Sequence, residues 1–362
     1  MRNKILHIFS TVKVVIGFKR AILQDLSTNK YYLIPNSLAK FIIRNNNDIT
    51  NAILSRYHDG DKKIVEEYFS WLLKNNFAVF LNAEHRKEKF IPMDCSWEEP
   101  HFITNSIVDI KKISLPILKK IISQLNDLRI PYVEIRIYES YPLKDIVSVI
   151  DQFQESDITA INILTNYHPT FNIVTIKKEI KYKLILNNLH VFNAPIKKDK
   201  QFFMHSKATS IFFSKAKLSD KLCGFVLPQI FCSNLKFFTE SLHFNTCLNR
   251  KVSIDQNGEI KNCPSMSKSY GNIENTKIAD VISMAGFKES WNIKKDSISI
   301  CKDCEFRHIC TDCRAYLQDP DDIYSKPLKC GYNPYTNEWE DWTTNSLSKS
   351  PINYYGLQDI VK

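Results

Sequence analysis

Hydrophobic and polar positions follow one period near the N-terminus and another in the middle of the chain. Short β-branched and aromatic runs from Lys19 to Leu26 and from Lys30 to Ile34 flank Ser27-Thr28-Asn29. That pattern predicts two strands joined by a tight turn. Pro35-Asn36-Ser37 ends the second strand and opens a helix with Leu38, Phe41 and Ile42 on one face. A second helix is expected after Asp61, which can cap it, with Ile64, Tyr68, Trp71 and Leu72 at helical spacing. Asn75-Asn76 stops that helix, and Phe77 to Leu81 adds a third strand.

Residues 1–90 thus predict a hairpin plus helices of the winged-helix kind, which leaves a strand edge and a helix groove open to a peptide. From Ile103 to Lys221 the pattern alternates. Strands are expected at Ser106 to Ile110, Tyr132 to Tyr138 and Thr159 to Leu164, with helices at Pro116 to Leu128 and Leu143 to Phe153. Further units run through Ile173 to Leu186, Leu189 to Ala194 and Ser210 to Phe213. This βαβ order predicts parallel strands with helical crossovers. The stretch is too short for a closed eight-unit barrel, so an α/β open sheet or partial (β/α) barrel is expected over residues 100–240. A cysteine-rich domain at 241–345 and a tail at 346–362 complete the expected order.

No apolar run reaches the ~20 residues of a membrane helix, and the N-terminus lacks a secretory cleavage site, so a cytoplasmic protein without a membrane partner is expected. The chain has 362 residues, 49 basic and 39 acidic, a formal net charge of +10. Its lysines are scattered among Ile and Asn without a basic stripe, so the charge does not predict nucleic-acid binding. Only 8 glycines occur, and no phosphate-binding loop, nucleophile elbow or His-Glu-x-x-His helix is present. The histidines, His85 and His205 among them, are isolated and read as surface or core residues.

The cysteines carry the candidate chemistry. Of 10, only Cys95 precedes Cys223, and it reads as an incidental thiol. Cys247 is followed after ten residues by Gly258 and after four more by Cys263; then come Cys301-x2-Cys304-x5-Cys310-x2-Cys313, and finally Cys330. Asp255-Gln-Asn-Gly258-Glu predicts a hairpin turn that brings Cys263 back beside Val252, where Cys247 can point at the same ion or cluster. Paired cysteines two residues apart suit zinc and iron–sulfur centres alike.

This spacing resembles the SPASM domain, the auxiliary iron–sulfur domain behind the radical-SAM barrel of many peptide maturases, at all seven cysteines from Cys247 to Cys330. One spacing departs: two residues, not three, separate Cys310 from Cys313. The resemblance implies an inner [4Fe–4S] cluster on Cys247, Cys263 and Cys313, and an outer one on Cys301, Cys304, Cys310 and Cys330. For a fourth inner ligand, Cys232, Cys223 and a non-protein group are open, and Cys232 is preferred.

The runs Cys301-Lys-Asp-Cys-Glu-Phe-Arg-His-Ile-Cys-Thr-Asp-Cys-Arg-Ala-Tyr316, Cys330-Gly-Tyr-Asn-Pro-Tyr335 and Lys30-Tyr-Tyr-Leu-Ile-Pro-Asn-Ser37 resemble the SPASM-domain maturase of grasp-with-spasm systems. That branch implies a ribosomally made precursor peptide, an ATP-grasp ligase as partner, and leader recognition by the N-terminal unit. The radical-SAM Cys-x3-Cys-x2-Cys is absent, since no cysteine lies between Cys95 and Cys223. The middle unit therefore reads as a degenerate radical-SAM-like barrel without S-adenosylmethionine. Lys302, Arg307, His308, Arg314 and Lys329 interleave with the outer ligands and are candidates to offset their charge. Phe306 and Tyr316 read as packing. The expectation is one or two [4Fe–4S] clusters in a peptide maturase or accessory protein; the alternative is a zinc-stabilised adaptor that presents the precursor to the ligase.

Overall fold

A computed structural model describes residues 3–82, 90–204 and 209–361 of the protein; His85 and His205 lie outside them. Its centre is an eight-stranded sheet in the order β10-β11-β9-β8-β7-β6-β12-β13. The strands are β6 (Asn105–Ile110), β7 (Tyr132–Ile137), β8 (Ala160–Asn166), β9 (Leu186–Phe192), β10 (Lys200–Phe203), β11 (Ser210–Phe213), β12 (Lys251–Ile254) and β13 (Ile260–Lys261). β11, β9, β8, β7, β6 and β12 run parallel, and an antiparallel strand closes each edge. Parallel neighbours need crossovers. Helices α4 (Leu115–Asp127), α5 (Leu143–Asp151) and α6 (Ile173–Glu179) supply them between β6 and β9.

The local sequence explains these elements. Pro116 lies in the first turn of α4, where its missing N–H costs nothing, and Leu118, Ile121, Ile122 and Leu125 bury one stripe. Asn172 caps α6 by accepting from the Val174 N–H at 2.8 Å. Ile135, Ile163 and Leu189, neighbours across β7, β8 and β9, are fully buried in one cluster with the helices, each stabilising by ~1.5–3 kcal/mol. The expected βαβ order is present. Two features are additional: β10 was not expected, and β12 joins this sheet alongside β6, so the sheet continues past the expected boundary at 240. One apolar core runs from α4 through Val252 and Ile254 to Cys263, Cys313 and Tyr316.

The N-terminal region differs more. β3 (Arg20–Asp25) and β4 (Lys30–Pro35) form the expected hairpin, with β2 (Val12–Ile16) on the other side of β3. The strand at 77–81 does not join them: β5 (Ala78–Leu81) pairs with β1 (Ile5–Ile8) in a separate ribbon. After α1 (Asn36–Asn45) comes α2 (Thr50–Ser55), an element without a strong apolar period. Helix α3 (Asp59–Lys74) begins two residues before Asp61, which occupies its first turn, not its cap. Its buried stripe is Val65, Phe69 and Leu72, while Ile64 is 45% exposed. The stripe is turned by one residue because Phe69 packs against Phe41 and Phe80, leaving Trp71 to face Tyr32 of β4.

The three-stranded sheet packs on both faces, although Leu33 of β4 stays exposed. Ala21, Leu23 and Ile34 meet the helices, and Val15 and Ile22 meet Phe306, Ile309 and Tyr332 of the cysteine-rich region. The turn between β2 and β3 fastens the contact: Phe18 N–H donates to the Asp303 carbonyl at 2.8 Å, and Arg307 donates to that of Ile16 at 2.8 Å. The Arg20 guanidinium meets the Glu305 carboxylate at 2.6 Å. Gly17 is pressed so close that a Cβ there would lie 2.7 Å from the Glu305 nitrogen.

Gly17→Ala is therefore expected to destabilise the protein by about 1–3 kcal/mol, an overpacking cost, seen as a lower thermal midpoint. Gly60→Ala in α3, where no atom lies within 4 Å, is the neutral or stabilising control. Equal midpoints for both variants would show that the turn is not held against Glu305.

Candidate functional site

Eight of the ten thiols gather in two neighbouring sets. The first lies where β12 and β13 leave the large sheet. Asp255 accepts from the Asn257 and Glu259 N–H groups at 2.8 and 3.0 Å, and Gly258 takes φ +81°, so the chain reverses as its Asn-Gly pair predicts. β13 then delivers Cys263 beside Cys223, to which its thiol is hydrogen-bonded. Cys247 and Cys313 complete the set, each interacting electrostatically with its neighbours. Gly224, at φ +81°, leans on this set: a Cβ there would lie 2.8 Å from Cys313 Sγ.

Cys301, Cys304, Cys310 and Cys330 form the second set, on the loop that packs against β2 and β3. Cys310 and Cys313, two residues apart, face different sets. Asn245 braces the two. Fully buried, it accepts from the Cys247 N–H at 3.0 Å and donates to the Asp312 carboxylate at 2.6 Å. Cys232, the preferred fourth inner ligand, has its N–H donating to the Ile309 carbonyl at 2.9 Å, and its thiol is not among the neighbours that act on Cys223, Cys263 or Cys313. Cys223 is the thiol that stands beside Cys263. Cys95 lies apart, near the Met93 carbonyl.

Each set has its own ammonium. Lys295, 5% exposed, places Nζ 3.3 Å from Cys310 Sγ and 3.7 Å from Asp312. Burial opposes its charge, yet Cys310, Cys301, Asp312 and Cys330 hold its pKa well above the ordinary lysine value. Part-buried Lys251 places Nζ 3.6 Å from Cys247 Sγ and is held upward by Cys247 and Cys263. Lys329, 1% exposed, donates to the carbonyls of Lys221 and Cys223 at 2.5 and 2.9 Å and lies 4.0 Å from the Tyr316 ring. Burial lowers it to about 8 against the pull of Cys223 and Cys313.

The thiols respond in kind. Burial pushes Cys301 and Cys313 up to about 12 and Cys310 to about 11. Cys223 is drawn down by the hydrogen bond from Cys263, aided by Ser265, Arg136 and Lys329. Arg136, at the end of β7, is held by Asp109 of β6 at 2.7 Å and keeps Nη2 buried without a partner.

Of the basic residues expected around the outer ligands, Lys329 faces the inner set instead. Arg307 is paired with Asp296 and Arg314 with Asp312, at 3.0 and 2.7 Å. His308 meets Ser241 at 3.0 Å. Phe306 and Tyr316 are buried, as packing residues would be. Lys295 and Lys251 were missed, because a lone lysine far from Cys310 or in a strand gives no spacing signal.

Among the described residues, no three His, Cys, Asp or Glu side chains converge on a point that could hold one metal ion. The donor type and number in each set nonetheless suit a [4Fe–4S] cluster: four thiols, two of them buried and two part-buried, and an ammonium whose charge needs an anion. Among these residues no helix is long and apolar enough to cross a membrane.

No family model matches the chain, and no curated protein matches it. Among solved structures it is similar to SuiB of Streptococcus suis, with a TM-score of 0.35 at 12% identity over 89% of this chain and 98% of that one. SuiB bound to S-adenosylmethionine gives 0.32 at 10% identity over the same shares. SuiB bound to its precursor peptide SuiA gives 0.30 at 12% identity over 95% of this chain and 100% of that one.

Thiol reactivity follows burial and thiolate content. In the folded, metal-free chain at pH 8, iodoacetamide is expected to label Cys232 before Cys301, Cys310 and Cys313, read site by site by mass spectrometry. Labelling of Cys313 ahead of Cys232 would contradict the arrangement.

Proposed function

We propose that this chain is an iron–sulfur protein of ribosomal peptide maturation, carrying an inner [4Fe–4S] cluster on Cys223, Cys247, Cys263 and Cys313 and an outer one on Cys301, Cys304, Cys310 and Cys330. The observation that carries the reading is the sorting of eight thiols into two sets of four, each against a lysine ammonium. When bound, the clusters supply one-electron redox capacity. The chain's own residues supply the sulfur ligands, the counter-charges and the exclusion of water. Without the Cys-x3-Cys-x2-Cys motif, the reading includes no radical chemistry on S-adenosylmethionine.

In this reading the protein cooperates with an ATP-grasp ligase and binds the leader of a ribosomally made precursor. The leader site proposed is the edge of β4 beside α3. β4 is the last strand of its sheet, Leu33 is 52% exposed there, and Ile64 of α3 is 45% exposed. An extended peptide adding to such an edge gains main-chain hydrogen bonds and places alternate side chains toward the helix.

Two measurements test the proposal. After anaerobic purification, Cys223→Ser is expected to lose about half of the bound iron and sulfide, whereas Cys232→Ser keeps all of it. The reverse pattern would overturn the inner ligand set, and zinc without sulfide would favour an adaptor role. Leu33→Asp is expected to weaken binding of a precursor peptide encoded beside the chain at least tenfold by calorimetry, the loss of about one hot-spot contact. Unchanged affinity would remove the leader from this edge.

A further inference from the structure

The charges around the two thiol sets are unequal, a fact that acquires meaning on the two-cluster reading above. On the inner side stand Lys251, with Nζ 3.6 Å from Cys247 Sγ, and Lys329, with Nζ 2.9 Å from the Cys223 carbonyl. Neither ammonium is among the close ion pairs of the described residues, although Glu134 attracts Lys251 and Asp220 attracts Lys329 at longer range. A third cation, Arg136, is occupied by Asp109 at 2.7 Å and by Glu134 at 3.9 Å. Glu134 is 34% exposed at its side chain, and Asp220 near Lys329 is also partly exposed, so solvent and salt screen both.

On the outer side Lys295 stands alone against the thiols and shares its charge with Asp312 at 3.7 Å. Asp312 is in turn paired with Arg314, and the buried Glu305 beside Cys304 with Arg20. With the close ion pairs set aside, two ammonium groups whose carboxylates are distant face the inner set, and one ammonium with a carboxylate at 3.7 Å faces the outer.

Adding an electron makes a thiolate-bound cluster more negative, so unshared positive charge nearby stabilises the reduced form and raises the potential. We infer that Lys251 and Lys329 make the inner thiol set the higher-potential centre of the two, so that one electron shared between them rests on the inner cluster and leaves the outer one oxidised. The inner set adjoins the end of the large sheet at Arg136, and the outer adjoins β2 and β3. Reducing power thus runs from the N-terminal side of the molecule toward the sheet. Lys251 and Lys329 act as positioning charges and touch no substrate.

The test is an anaerobic redox titration of the full chain, followed by electron paramagnetic resonance after iron and sulfide have been counted. Two midpoints are expected. Lys251→Met and Lys329→Met each lower the upper one by at least the ~59 mV that a tenfold loss of one-electron affinity represents, and leave the lower one in place. Lys295→Met lowers only the lower midpoint. Lys329→Arg, which keeps the charge, preserves the wild-type value and separates charge from folding. An upper midpoint that ignores both inner lysines, or follows Lys295→Met, overturns the inference and leaves the cluster reading standing. A chain without iron overturns both.

Discussion

Moving an ammonium group out of water costs several kcal/mol unless an anion meets it. Lys295 and Lys329 are among the most buried charged groups of the molecule: Lys295 meets the Cys310 sulfur at 3.3 Å, and Lys329 is held by two backbone carbonyls with the Cys223 and Cys313 thiols acting at longer range. The converse holds for the cysteines, whose thiolates are disfavoured by burial and favoured by these cations. Removing one partner leaves the other stranded, so the thiols and lysines depend on each other. The loops around them have little regular structure of their own: short 3-10 turns, two-residue strands and side-chain braces such as Asn245 to Asp312. Filling the two sets with anionic clusters completes a charge balance that the folded chain already half contains.

That balance reaches the N-terminal unit. The β2–β3 turn forms one wall of the outer set through Gly17, Phe18 and Arg20, and Val15 and Ile22 share an apolar cluster with Cys310. The unit proposed to hold a leader peptide is thus not an independent bead on a linker. Ser233 also hydrogen-bonds to the Lys30 carbonyl at 3.1 Å, so the start of β4 is already engaged and the Leu33 end is the part left open.

Much of this was legible in the residues. The alternation from β6 to β9, the β3–β4 hairpin and the Asn257-Gly258 reversal each rest on local rules, and each is present in the structure. The grouping of Cys301, Cys304, Cys310 and Cys330 was implied by the resemblance to the SPASM domain, since close spacing alone would put Cys313 with the first three. What was not legible depends on distant packing. Cys223 and Cys232 have similar surroundings in sequence, and only the route of the chain from β11 past the sheet to Ile309 separates them. The buried stripe of α3 was misplaced by one residue because Ile64 and Val65 are both apolar, and Phe41 and Phe80 decide which is covered. Lys295 became a partner of Cys310 through a fold no motif records.

The central claim is that these thiols hold clusters and not single ions. Iron, acid-labile sulfide and zinc should be counted per chain on the full-length protein purified without air. The account predicts about eight irons with matching sulfide and a brown absorption that dithionite bleaches. One or two zincs, no sulfide and a colourless solution would contradict it.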